Sequence, residues 1–142
     1  MSKNINEAFE RGIAAFGKTH TSERTEAFRA AADPSVVGGR MQILATEFVF
    51  GGLWANDQLD GRSRSFVTMG VLIAQRADEE FGNHVRVGLA NGLTPQEIEE
   101  AIAHAAGYAG FPAAHSAMKV ATAIFGEGAS TDVDADAGTR AN

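Results

Sequence analysis

Two histidines follow a glutamate by four residues in segments whose apolar spacing predicts helices, Glu80 before His84 and Glu100 before His104. Tyr108 extends the second row by another four residues. Side chains four apart share one face of a helix. An imidazole beside a carboxylate can move protons near neutral pH. Both rows are equally typical of structural histidines, packed in a core or placed on a polar helix flank.

A further histidine and two arginines complete the set of side chains that suit chemistry on an acid. His115 falls in the first turn of the last predicted helix, where the helix dipole disfavours a protonated ring. Arg64 and Arg86 are natural partners for carboxylates through paired N–H donors. Arg86 lies about 200° around the helix from His84, so it is expected to reach a neighbouring helix or another subunit. His20, between two predicted helices, favours an exposed loop position.

Several classes of function are excluded or disfavoured by composition. The chain has 142 residues and no cysteine, which excludes disulfides, thiol catalysis and thiolate metal sites. Glu80 and His84 plus another histidine could ligate a metal, but no metal-binding motif occurs and no metal is predicted. The net charge is −6 without a basic tract, which disfavours nucleic acid. No apolar run spans a membrane and no signal peptide is visible, so a cytoplasmic protein is expected.

The elements that must position these residues are all helices. Hydrophobic residues make up 44% of the chain, which is enough for a core. Their periodicity predicts an all-α fold of six to seven helices without strands. The clearest start is the capping box of Thr94 and Glu97, with Pro95 at the first helical position. Gly51 and Gly52 are expected to end the third helix, and Trp54 to lie in the loop that follows. The predicted helices cover about 4–16, 22–33, 35–50, a fourth from about 62 that includes 66–74, 78–91, 95–109 and 112–125.

Organisation at a larger scale follows from the same patterns. Residues 1–126 are predicted to form a single all-α domain, and the small, acidic segment 127–142 is predicted to be disordered. The stretch 66–74 is apolar on nearly every side, which favours burial at a subunit interface. The centre of a helical bundle is the competing interpretation. Gly82 and Gly88 cost helix stability, so they are expected to leave room for a ligand or for a neighbouring helix.

The order of these residues resembles a known family. Over about residues 48–125, the chain is similar to the carboxymuconolactone decarboxylase family. The segments that carry the resemblance are FVFGGLW, LDGRSRSFVTMGVLIA, EEFGNHVRVGLANGLTPQE and AHAAGYAGFPAAHSA. A related alkylhydroperoxidase branch carries CxxCxxxH, and its two thiol positions are Ala77 and Glu80 here. A thiol peroxidase is therefore excluded. The resemblance implies an alkylhydroperoxidase D-like all-α fold, a homo-oligomer (trimer or hexamer), no cofactor, and a place in aromatic catabolism.

The resemblance also implies a reaction, the decarboxylation of an unsaturated lactone carboxylate of the γ-carboxymuconolactone type. Departure of CO2 leaves electrons that delocalise into the lactone carbonyl as a dienolate, so the substrate is its own electron sink. Two arginines are expected to bind the carboxylates of the substrate. A histidine oriented by a glutamate is expected to donate a hydrogen bond to the oxyanion or a proton to carbon. Other residues are expected to line the pocket. The expected catalytic residues are His84, Glu80, His104 and His115, and the expected substrate-binding residues are Arg64, Arg86, Trp54 and Tyr108.

Three departures from the family pattern leave the substrate open. Gly52 replaces a usual acid, Asn56 and Asp57 replace an arginine and a proline after the tryptophan, and His115 replaces an asparagine. A cofactor-free isomerase, dehydratase or hydrolase acting on a related lactone or enone acid is therefore the alternative enzyme. A non-catalytic binding or assembly protein on the same scaffold is the third possibility.

Overall fold

A computed structural model describes the backbone of residues 2–137 and the side chains of residues 7–128. In this part of the chain there are seven α-helices, one π-helix and no strand, which confirms the all-α prediction. The elements are α1 (Ser2–Gly17), α2 (Ser22–Ala30), α3 (Gly39–Leu44), the π-helix (Ala45–Trp54), α4 (Gly61–Gln75), α5 (Asp78–Ala90), α6 (Pro95–Ala109) and α7 (Phe111–Ala137).

The chain divides between residues 64 and 65 into two compact units. In the first unit, α1 crosses the π-helix at backbone contact distance. A Cβ on Gly12 would lie 2.1 Å from the Thr46 carbonyl oxygen, and one on Gly51 would lie 2.2 Å from that of Ala8. Glycine is therefore required at both positions, because any side chain would collide with backbone that cannot move aside.

An aromatic cluster holds α1, α2 and the π-helix together in the first unit. Phe16 stacks on Phe28 at 3.8 Å, and Phe50 meets both rings edge-on. His20 stacks on Phe16 at 3.7 Å, and its Nδ1 lies 2.9 Å from the Phe16 carbonyl oxygen. His20 lies in the loop between α1 and α2, as predicted, but it is half-buried rather than exposed, because its ring packs on the cluster.

The second unit is built from α4 to α7 around one apolar core. Each helix contributes residues spaced three or four apart, as an amphipathic helix requires. The largest fully buried core side chains are Met69, Ile73, Phe81, Val85, Ile98 and Ile102. Alanines 113, 114, 117 and 121 on α7 let that helix approach closely.

The start of α6 matches the sequence prediction in detail. The Thr94 hydroxyl accepts from the Glu97 backbone N–H at 3.1 Å, and the Glu97 carboxylate accepts from the Thr94 N–H at 2.9 Å. The helix runs from Pro95 to Ala109 as predicted, because the cap and the apolar stripe agree.

Other boundaries differ from the prediction. The predicted third helix is α3 continued by the π-helix, so Gly51 and Gly52 do not end it, and Trp54 is the last residue of the π-helix rather than part of a loop. Helix α7 continues to Ala137, past its predicted end near Phe125. The single domain over 1–126 and the disordered tail 127–142 stay predictions, and the side chains from residue 129 on and the chain from residue 138 on lie outside the described residues.

Within residues 2–137, no helix combines the length and the hydropathy that a membrane crossing requires.

Candidate functional site

An open groove lies between α4 and α6 in the second unit. Its volume is about 630 Å³. Small residues of both helices and polar side chains of α6 line it. The residues that line this α4–α6 groove are Phe66, Gly70, Ala74, Glu97, Glu100, Ala101, His104, Ala105, Tyr108 and Ala109.

The predicted row of Glu100, His104 and Tyr108 faces this groove. All three side chains are exposed, and the His104 and Tyr108 rings lie 5.4 Å apart between centroids. The row can therefore reach a molecule in the groove and exchange protons with it. The spacing of four along α6 was sufficient to place the three residues together.

The charge of the α4–α6 groove is unfavourable for an acid by itself. Among the described residues that line it are two glutamates, Glu97 and Glu100, and neither an arginine nor a lysine. Glu97 is already engaged in the cap of α6. A carboxylate substrate entering this groove would need a cation from elsewhere.

His84 lies on α5 and is not among the residues that line the groove. The side chain is half-buried, and its Nδ1 atom is shielded from solvent. Glu80, one turn earlier, is exposed and accepts a hydrogen bond from the Asn83 amide at 3.4 Å. Orientation of His84 by Glu80 therefore remains a prediction.

The glycines beside His84 are explained by helix packing. A Cβ on Gly82 would lie 3.1 Å from Val120 on α7, and one on Gly88 would lie 3.1 Å from Leu93. Both glycines are buried. Of the two expected uses, room for a neighbouring part of the chain is the one that the contacts support.

Arg86 reaches a neighbouring helix, as its position on α5 predicts. Its Nη2 donates to both carboxylate oxygens of Glu127 on α7, at 3.3 and 3.2 Å. The two side chains are 47% and 63% exposed, so the pair is well solvated and weak. A substrate carboxylate could therefore replace Glu127 at little cost.

Arg64, in the first unit, holds the loop that follows Trp54. Its Nε donates to the Leu59 carbonyl at 3.0 Å and its Nη2 to the Asn56 carbonyl at 2.9 Å. The same loop ends at Asp60, whose carboxylate accepts from the Ser63 backbone N–H and hydroxyl, and these bonds lower the pKa of Asp60. Arg64 thus has a structural task in addition to its predicted one.

His115 stands exposed in the first turn of α7. Its ring lies 6.0 Å from that of Phe111 and outside the α4–α6 groove. The next residue, Ser116, donates a short hydrogen bond to Asp78 at the start of α5. The structure therefore brings His104 and Tyr108 together in the groove, and it does not bring His84, Arg86 or His115 into that groove with them.

Two residues with buried polar atoms escaped the sequence reasoning. Ser65 is fully buried, and its hydroxyl accepts from the Asn91 amide at 3.1 Å, which ties α4 to the end of α5. On the π-helix, the Glu47 Oε1 is buried with no hydrogen-bond donor among the described residues. The sequence could have indicated the burial of Ser65, because Ser65 lies on the same helical stripe as Met69 and Ile73. It gave no indication of the burial of the Glu47 carboxylate, because the π-helix was not predicted.

No three metal-ligating side chains cluster anywhere in the described part of the chain.

Comparison with known proteins gives a family match over most of the second unit. A family model described as the carboxymuconolactone decarboxylase family matches residues 40–123. This range covers α4, α5 and α6 completely, and with them Arg64, His84, Arg86, His104 and His115.

Three curated relatives match the chain. The nitrosuccinic acid decarboxylase npaB of Metarhizium robertsii is 39% identical over 112 residues, which are 79% of this chain and 77% of that protein. The 4-carboxymuconolactone decarboxylase of Acinetobacter baylyi is 37% identical over 84 residues, 59% of this chain and 63% of that protein. An uncharacterized 15.0 kDa protein of Paracoccus denitrificans is 31% identical over 83 residues, 57% of this chain and 62% of that protein. The family and these names support an enzyme of the decarboxylase type.

Proposed function

This chain belongs to the carboxymuconolactone decarboxylase family, and from that premise we propose that it is a cofactor-independent decarboxylase of an unsaturated lactone carboxylate of the γ-carboxymuconolactone type. The observation that carries the proposal is the family match across α4, α5 and α6, which includes His84 and Arg86 and contains no cysteine.

The proposed reaction needs no electron acceptor other than the substrate. The bond between the γ-carbon and its carboxylate breaks, CO2 leaves, and the electron pair moves through the double bond onto the lactone carbonyl oxygen. A positioned acid then returns one proton to carbon. Hydrogen-bond donors at the developing oxyanion contribute about 3–4 kcal/mol each, and a positioned acid contributes about 10²–10⁴-fold.

The side chains divide these tasks by their chemistry. Arg86 binds a substrate carboxylate in exchange for Glu127, with which it forms an exposed pair. His84 donates a hydrogen bond to the oxyanion or a proton to carbon. Its half-buried position on α5 limits the access of water to the ring. His104 and Tyr108 serve the part of the substrate that enters the α4–α6 groove.

The remaining assignments rest on position and on the family. Glu80 orients His84, and His115 supplies a further donor at the start of α7. For Trp54 and Arg64, the proposed part in substrate binding rests on the resemblance to the family alone.

A nitro acid is the second candidate substrate class, because the match to npaB spans more of this chain than the match to the lactone enzyme does. In nitrosuccinic acid, one carboxylate is on the carbon that bears the nitro group. Its loss leaves a nitronate, in which the nitro oxygens accept the electron pair. The demand on the protein is the same, namely to hold carboxylates, stabilise an oxyanion and protonate carbon.

The experiment that tests the proposal compares the two substrates directly. Purified protein is incubated with γ-carboxymuconolactone and with nitrosuccinate, and CO2 is quantified with the carbon count of the product. Release of CO2 from either supports decarboxylation and selects the class. A product with an unchanged carbon count selects the isomerase, dehydratase or hydrolase alternative, and no reaction with these acids or close analogues favours a non-catalytic binding protein.

A matched pair of variants tests the site. His84→Gln should lower kcat by about 10²-fold or more, as expected for loss of a positioned acid. His20→Gln makes the same change at a half-buried histidine outside the site and should leave kcat within about twofold. Equal activity of His84→Gln and the wild type would remove His84 from the mechanism.

We also propose a homo-oligomer, a trimer or hexamer, located in the cytoplasm. The exposed apolar side chains of α4 support association. Sedimentation equilibrium measures the size directly, and fractionation of cells that express the protein measures the location.

A further inference from the structure

The α4–α6 groove is lined by negative charge that no basic residue of its two helices offsets. Helix α6 carries three glutamates and neither lysine nor arginine. The part of α4 from residue 65 to residue 75 carries no charged residue. Glu97 and Glu100 line the groove itself. Such a surface attracts cations and repels anions.

The two carboxylates are not equally available to a ligand. Glu97 lies in the first turn of α6, where its carboxylate accepts from the Thr94 N–H and the helix dipole offsets part of its charge. Glu100 lies about one turn further on and is exposed, and it makes no hydrogen bond or ion pair with another described residue. The Glu100 carboxylate is therefore the group that a cation would meet.

The rest of the lining suits an organic cation better than a metal ion. His104 follows Glu100 by one turn and Tyr108 follows His104 by another, and the two rings lie 5.4 Å apart. An imidazole nitrogen and a phenol oxygen can accept a hydrogen bond from an N–H, and the face of an aromatic ring attracts a cation. No group of three metal-ligating side chains occurs among the described residues.

The dimensions of the groove limit the ligand to a small molecule. Its volume of about 630 Å³ lies in the ordinary range of small-molecule sites. Along α6, the backbone rises about 12 Å from Glu100 to Tyr108. Between these two positions the lining includes Ala101 and Ala105, which leave room for an apolar body.

We propose that the α4–α6 groove is a binding site for an organic cation, a small molecule with a protonated amine on an apolar body. The ammonium group pairs with Glu100 and donates a hydrogen bond to His104. The apolar body covers the alanines of α6 and the ring of Tyr108, which is 87% exposed.

This site goes beyond the proposed function and does not depend on it. Glu97 and Glu100 oppose a carboxylate, so the groove is distinct from the carboxylate site proposed at Arg86. The part of a carboxylate substrate that can enter the groove is accordingly limited to an uncharged part.

Binding in the groove can be observed at a single atom. Tyr108 is the only tyrosine of the chain, so protein labelled with fluorotyrosine carries fluorine only at this position. Three probes of similar shape are titrated at about pH 7, namely 2-phenylethylammonium, 2-phenylethanol and 3-phenylpropionate. The ammonium should shift the fluorine resonance saturably, with a Kd at least about fivefold below that of the alcohol. The carboxylate should bind most weakly.

A matched pair of variants tests the assigned carboxylate. Glu100→Gln and Glu99→Gln remove the same charge from adjacent exposed positions of α6, but only Glu100 lines the groove. At physiological salt, Glu100→Gln should raise the Kd of the ammonium about two- to fivefold, and Glu99→Gln should change it by less than about 1.5-fold.

Three results would overturn the proposal: no saturable shift with the ammonium, similar Kd values for the three probes, or equal effects of the two variants. A resonance that responds to protein concentration and not to the ammonium would also overturn it, since a second copy would then cover the groove. The comparison of probes uses the unmodified sequence, so it stands even if a variant does not fold. No substrate is needed, so a failure to bind the ammonium and a failure to release CO2 are separate results.

Discussion

At the scale of single residues, Arg86 already holds a carboxylate, that of Glu127, at 3.2 Å. An arginine with an exposed internal partner is available to a substrate only after that partner leaves. Glu127 is therefore expected to compete with an anionic substrate for the guanidinium.

Replacing Glu127 by Gln should lower KM for the carboxylate substrate about 1.5- to 5-fold, since an exposed ion pair contributes about 0.2–1 kcal/mol. Arg86→Gln should raise KM instead. Steady-state kinetics measure both, and Glu99→Gln, which removes an exposed charge from α6, is the control. A KM that does not respond to Glu127→Gln, or responds equally to the control, would show that Arg86 does not bind the substrate.

His20 makes stability depend on pH. Burial against Phe16 lowers the pKa of the imidazole from its ordinary 6.5, although the Phe16 carbonyl acts in the opposite direction and the nearby Arg24 adds to the lowering. The unfolded state therefore binds more protons than the folded state once the pH falls below about 6.5. The stability that the neutral ring provides is present above this pH and is lost as the pH falls towards the folded pKa.

In urea unfolding at about pH 7 and about pH 5.5, the wild type should lose more stability than His20→Phe, which keeps a stacking ring without a proton site. The difference between the two proteins across this pH interval is the quantity of interest. If both lose the same free energy, the imidazole is not the source of the dependence.

At the scale of elements, the crossing of α1 and the π-helix organises the first unit. Gly51→Ala would place a Cβ 2.2 Å from the Ala8 carbonyl oxygen, whereas the nearest atom to a Cβ on Gly52 lies at 3.6 Å. The free energy of unfolding should fall by about 1–3 kcal/mol or more for Gly51→Ala and change by less than about 0.5 kcal/mol for Gly52→Ala. Urea denaturation of both variants measures the contrast, and similar values would mean that the helices do not cross this closely.

Elements also differ in how far their sequence determined them. Helix α6 was predictable from end to end, because Thr94 and Glu97 form a local cap and the apolar stripe of Ile98 and Ile102 continues at helical spacing. The π-helix was not predictable, because the pair Gly51 and Gly52 is typical of a helix end. Gly51 lies inside a helix because α1 packs against it at backbone distance. Local signals fix an element when no distant contact opposes them.

At the scale of the whole molecule, the core of the second unit is expected to need no residue of the acidic tail. Among residues 7–128, whose side chains are described, Ile124 is the last buried apolar residue of this core. Ending the chain after Gly128 removes three aspartates and one arginine and leaves Glu127 in place. The truncated protein should keep its melting temperature within about 2 °C and its activity within about twofold. A larger loss of stability would show that the tail is part of the fold.

The candidate site residues also differ in whether helical spacing alone could place them. Glu100, His104 and Tyr108 were placed on one face by their spacing alone, and they share the α4–α6 groove. The expected convergence of His84, Arg86 and His115 on that cavity depended on how α5, α6 and α7 pack, and periodicity within a helix contains no information about which neighbour each face meets.

The sequence by itself determined the helical class, the boundaries of α6, the row of polar residues on it, the absence of thiol chemistry and the family. These properties depend on residue type and on spacing within one element. Only the tertiary structure decided which glycines serve packing, namely Gly12, Gly51, Gly82 and Gly88 but not Gly70. It also decided that Arg86 pairs with Glu127. It placed His104 at a groove without a basic residue among its described lining. Each of these depends on atoms far apart in the chain, whose distances are set by the packing of whole helices.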